Sequence, residues 1–173
     1  MRVFAWIVAL AVVIAGPGMA QEQKLQAGKV ACVTFSEVRG KLPVELGQSA
    51  LSCFAEGKVD QGMELIAVLL VLEEYDEERM ELHYDGKRFR DWVGDAVRAA
   101  LKASGSHDPI MARARELGDD RPWMRRMCAQ VAGMGPPGYW PNYLEGVGPA
   151  PGIIRRHPLL WIEAVTDELE CDG

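Results

Sequence analysis

Eight consecutive apolar residues, Leu65-Ile66-Ala67-Val68-Leu69-Leu70-Val71-Leu72, constrain this chain more than any other feature. A segment with no polar face must be covered on every side, so it belongs at the centre of its domain. Upstream, Leu46, Ala50, Cys53 and Phe54 recur at three- and four-residue steps from Pro43, the period of one helix face. Gly57 reads as the C-terminal cap of that helix and Asp60 as the cap of the next, predicted over Gln61 to about Glu74. A buried strand is the rival reading of the apolar run. The helical period before it and the short Gly-Lys-Val-Asp connection favour a hairpin of helices.

The pattern repeats downstream. Asp85-Gly86 marks a turn, and Lys87 to Ala103 is amphipathic, with Phe89, Trp92, Val93, Ala96, Val97, Ala100 and Leu101 on one side. Asp108-Pro109 has the cap-then-proline signature of a helix start, and Gly118 reads as its end. Arg121 to Ala132 carries Trp123, Met124, Met127, Cys128 and Val131 at helical spacing. A last helix begins near Pro158, carries Leu159, Ile162, Val165 and Leu169, and ends at Cys171. The fold class expected is all-α: one compact bundle of about five to seven helices over 21–173.

The first twenty residues read as an export leader. Met1-Arg2 is a short positive start, Val3 to Ala15 is apolar, and Gly18-Met19-Ala20 suits a signal peptidase. The apolar run is about thirteen residues, short of the roughly twenty that a spanning helix needs. Cleavage after Ala20 would leave 153 of the 173 residues, enough for one domain with a core, and a periplasmic location. Loss of Arg2 would take the formal net charge from −6 to −7. An acidic chain is poorly disposed to nucleic acid and better matched to a basic partner.

Export gives the four cysteines a meaning. An even count in an oxidising compartment predicts two disulfides among Cys32, Cys53, Cys128 and Cys171. Of three possible pairings, Cys32–Cys53 with Cys128–Cys171 is favoured, because each would join a helix start or end to a neighbouring helix. No two cysteines stand at C-x-x-C spacing and no histidine pair is near, so neither metal nor cofactor is expected.

One segment does not fit the helical pattern. Eleven of the twenty residues from Gly133 to Gly152 are Gly or Pro, which predicts a long loop. Tyr139, Trp140 and Tyr143 within it, with Asn142 beside them, are candidate contact residues, since Tyr and Trp anchor protein interfaces. A packing role for these aromatics is about as well supported. Trp92 and Trp123, on apolar helix faces, are expected in the core.

The catalytic inventory is thin. There is no H-E-x-x-H, no G-x-S-x-G and no phosphate loop, and His83, His107 and His157 are scattered. His157, before Pro158, reads as a helix-capping residue. Glu73, Glu74, Asp76, Glu77, Glu78 and Glu81 form the one acidic cluster, and a carboxylate pair within it could hydrolyse an envelope glycan. The i,i+4 spacing of Glu74 with Glu78, and of Glu77 with Glu81, favours a solvated helix face. On that face Glu74, Glu77 and Glu78 are candidates to meet a basic partner.

Taken together, the leader Met1–Ala20, Cys32 followed by Cys53, the Gly57-to-Gly62 hairpin, the Pro136-to-Tyr143 loop and the closing Trp161-to-Val165 helix before Cys171 give a recognisable layout. It resembles the small exported immunity proteins with which bacteria neutralise secretion-system effectors that act in the periplasm. The resemblance covers most of the chain beyond the leader as a layout, without a diagnostic motif. It implies an all-α, disulfide-bonded inhibitor that binds a toxin, such as a peptidoglycan amidase or a lipase, and blocks its active site. A protein partner and no catalysis of its own are therefore expected, with a glycan hydrolase or an envelope accessory protein as alternatives.

Overall fold

A computed structural model describes residues 30–79, 94–95, 97–99, 101–102, 105, 107–141 and 158–171. After a 3-10 turn at Phe35–Glu37 come five helices: α1 Pro43–Ala55, α2 Val59–Arg79, α3 His107–Asp119, α4 Arg121–Met134 and α5 Pro158–Leu169. Residues 94–95, 97–99 and 101–102 are also helical, with Leu101 buried, in agreement with the amphipathic pattern there. The described residues contain no strand, and the chain is all-α as expected. The leader 1–20, Glu81, Phe89, Trp92, Asn142, Tyr143 and His157 lie outside the described residues.

The apolar run is helical and central. Leu65, Ala67, Val68, Leu69, Val71 and Leu72 are buried, and α2 packs against α1, α3, α4 and α5. The helix does not stop near Glu74; it continues through the acidic segment to Arg79. It also starts at Val59, which puts Asp60 in the first turn and not at the cap. There Asp60 takes both Nε and Nη2 of Arg113 at 2.7 and 2.8 Å, tying α2 to α3. Likewise α3 begins at His107, before Asp108, and runs one residue past Gly118.

Gly57, at φ 74°, reverses the chain between α1 and α2, where the Lys58 amide donates to the Cys53 carbonyl at 2.8 Å. The two helices then approach closely. A Cβ on Gly62 would collide with the buried Phe54 ring, so glycine sets their separation.

The segment before α1 runs along the hairpin and is held by side chains. Ser49 Oγ donates to the Ala31 carbonyl at 2.6 Å and accepts from the Val33 amide at 2.9 Å. Gln61 Nε2 donates to the Val33 carbonyl at 2.7 Å. Backbone groups with no helical partner are thereby satisfied by polar residues on the helices, including the buried Ser49. The Cys32–Cys53 disulfide fixes the same segment covalently.

Asp120 caps α4 by accepting from the Trp123 amide at 3.1 Å, with Pro122 in the first turn. Trp123, Met127 and Val131 face the core as their spacing predicts. Cys128–Cys171 links α4 to the residues that end α5, so both favoured pairings are present. The α5 face differs from expectation. Trp161, Ala164, Val165 and Leu169 are buried, while Leu159 and Ile162 point to solvent, 64% and 49% exposed. Trp161 packs edge-on against Tyr75 at 5.5 Å and donates to the Ala132 carbonyl at 3.3 Å. Burying an indole removes more apolar surface from water than burying either aliphatic chain, so the Trp161 face wins.

Candidate functional site

The acidic segment is not the solvated face its charge suggests. Positions 65, 69, 72, 76 and 79 repeat at helical steps and all are buried, so the core stripe of α2 runs straight on from leucines into Asp76 and Arg79. Glu73 is also buried, while Glu74, Glu77 and Glu78 are partly covered. Ionic side chains inside a core need partners, because desolvation otherwise costs several kcal/mol per ion. Arg79 Nη2 meets Asp76 Oδ1 at 2.6 Å. The guanidinium also stacks 5.1 Å from the Tyr75 ring centre and 5.4 Å from that of Tyr139.

The chain leaving α4 closes this group. α4 takes in Gly133 and Met134, so the non-helical segment begins only at Gly135; residues 135–141 are non-helical and 142–152 lie outside the described part. Tyr139 turns inward. Its hydroxyl donates to Asp76 Oδ2 at 2.9 Å, and its carbonyl accepts from Arg79 Nη2 at 3.2 Å. Burial first, then the adjacent Asp76 carboxylate, raises its phenol well above the ordinary value, so it stays a donor. Of the candidate contact residues, Tyr139 is therefore a packing residue that clamps the segment down. Trp140, 46% exposed, is the one still facing solvent among those described.

The outer surface carries a different constellation. On α5, positions 159, 162, 163 and 166 share one side of the helix, which brings exposed Leu159 and Ile162 beside Glu163 and Thr166. Because α5 packs on α2, Glu163 and Asp167 come near Glu78, one helical turn on from Glu74. Glu78 is held above the ordinary carboxylate range, by partial burial first and then by Glu74, Glu163 and Asp167. The exposed Leu159 and Ile162 thus share α5 with two carboxylates, Glu163 and Asp167, that act on Glu78. Glu74 and Glu78 belong to this arrangement as charge, with Glu77 half-buried one position away. Leu159, Ile162, Glu163 and Asp167 were not legible as contact residues, because the α5 pattern assigned its aliphatic chains to the core.

Among the described residues no group of three or more potential ligands is placed to hold a metal ion. No described helix is long and apolar enough to cross a membrane, and two disulfides fit an oxidising compartment. No family model matches the sequence, and no curated protein or solved structure matches it either.

Proposed function

We propose that this protein is a periplasmic binding protein of the immunity type, which inhibits a toxic effector by covering it. The observation that carries this reading is the solvent face of α5, where Leu159 and Ile162 stand exposed on the same helix as Glu163 and Asp167, the carboxylates that act on Glu78. Aliphatic side chains kept in water gain free energy when a partner covers them. The flanking carboxylates select a basic partner surface and speed its approach. α5 is held by the Cys128–Cys171 disulfide and by buried Trp161, so little ordering entropy opposes docking. The glycan-hydrolase alternative gains no support from Asp76, whose carboxylate is engaged inside the core by Arg79 and Tyr139.

The test is periplasmic expression of the product of the neighbouring reading frame in a susceptible bacterium. Growth should stop in its absence and recover when this protein is co-exported in its oxidised form. Growth arrest that persists at equimolar levels of this protein would refute the inhibitor reading.

A further inference from the structure

A cleft of about 250 Å³ opens between the turn that follows the 3-10 helix and the chain leaving α4. Val38, Leu72, Met134 and Pro137 supply its apolar lining, and Val38 and Leu72 belong to the buried core. Arg39 and Lys41 stand on the opposite chemical footing. In an acidic protein they line this one cleft together, and neither forms an ion pair among the described residues. The carboxylate closest in chain to them, Glu37, is hydrogen-bonded by the Thr34 amide and hydroxyl at 2.7 and 2.8 Å and feels Lys41 only through space, without an ion pair. Two glycines keep the walls bare. Gly40 and Gly135, at φ 85° and 68°, also line the cleft, and a Cβ on either would meet nothing within 4 Å.

We infer that this cleft is a binding site for an apolar group that ends in a carboxylate. The apolar part would lie against Val38, Leu72, Met134 and Pro137, and the carboxylate between Arg39 and Lys41. The volume lies just below the roughly 300–1,000 Å³ typical of small-molecule pockets, which suits one aliphatic side chain with its charged end. Such chemistry has two sources, the C-terminal residue of a polypeptide and a short free fatty acid. Capture of terminal carboxylates by backbone and cationic groups is a known recognition mode. None of the α5 face lines this cleft, so the inference stands or falls separately from the inhibitor reading.

The experiment titrates the oxidised protein with three probes while following the Gly135 and Gly138 amides by NMR. The probes are acetyl-Ala-Ala-Ala-Leu with a free carboxylate, the same peptide as its C-terminal amide, and octanoate. Loss of a charge-assisted contact should make the amide bind about tenfold more weakly than the free acid. The double variant R39Q/K41Q should lose a similar factor for the acid while keeping its melting temperature. Binding of octanoate without the peptide would assign the site to a free acid, and the reverse to a chain terminus. Equal affinity of acid and amide, or no movement of either glycine by any probe at about 1 mM, would overturn the assignment. The acid–amide contrast decides the matter even if the variant fails to fold.

Discussion

The Tyr139 hydroxyl reaches 63 positions back along the chain to donate a 2.9 Å hydrogen bond to Asp76. Together with the 2.6 Å Asp76–Arg79 pair, it pins the segment after α4 onto the last turn of α2. Hydrogen bonds to charged groups contribute about 1.5–3 kcal/mol, so Tyr139→Phe should lower the unfolding free energy by that amount. Asp76→Asn should cost more, about 3–5 kcal/mol, because it strands the buried Arg79 charge. Urea unfolding of the three proteins measures both. A Tyr139→Phe midpoint equal to that of the parent would show that the clamp contributes nothing.

The disulfides close loops of 21 and 43 positions and should each contribute about 3–4 kcal/mol in the chain-entropy description. Unfolding followed with and without a thiol reductant should therefore differ by several kcal/mol. Cys171→Ser is expected to loosen α5 in particular, since that bridge joins its end to α4. Amide exchange in α5 should then accelerate relative to exchange in α1 and α2.

Much of this architecture could be read from spacing alone. Arg121 to Met134 shows why: capping Asp120, Pro122 in the first turn, and Trp123, Met127 and Val131 on one stripe all agree. The cysteines paired as their helix-end positions favoured. The acidic stretch failed because six carboxylates among nine residues outweigh geometry in any reading based on charge. The available signal was the helical period itself, which carries the leucine stripe 65, 69, 72 on to Asp76 and Arg79 three apart. For α5, two stripes of similar hydrophobicity competed, and only the fit of Trp161 against Tyr75 decides between them. Tyr139 was open to either role in the sequence, since its partners lie 60 and 63 positions away.

Gly62 tests the closeness of the first hairpin. Its missing Cβ leaves room for the Phe54 ring, which is buried and cannot swing away. Gly62→Ala should gain helix propensity yet lose more to overpacking, for a net cost of about 1–3 kcal/mol. Adding Phe54→Leu in the same chain should recover part of the loss. A stabilised Gly62→Ala protein would mean that α1 and α2 separate freely.

Glu78 predicts a pH dependence with a definite sign. Its carboxyl sits above the ordinary range through burial and the neighbouring Glu74, Glu163 and Asp167, so the folded state holds its proton more tightly than the unfolded chain. The resulting stabilisation is complete below the unfolded value of about 4.3 and is lost as pH rises through the higher folded value. At neutral pH the ionised group is a liability. Glu78→Gln should raise stability at pH 7 by a few tenths of a kcal/mol, the scale of an i,i+4 like-charge pair. That gain should disappear below about pH 4, and thermal melts at the two pH values check it.

The α5 face and Trp140 separate folding from binding. Ile162 is half exposed and outside the core, so Ile162→Asp should change stability by less than about 0.5 kcal/mol. In a complex the same change would place an uncompensated carboxylate against apolar surface and should weaken binding by at least about 2 kcal/mol. Trp140→Ala should behave the same way if the non-helical segment joins the interface, since nearly half of that side chain faces solvent. The neighbouring Glu163→Lys should act differently, slowing association and flattening its salt dependence while leaving dissociation nearly unchanged. Stopped-flow mixing with the purified effector resolves the two rates. Unaltered binding in Ile162→Asp would remove α5 from the interface, and a collapsed melting temperature would show that Ile162 belongs to the core.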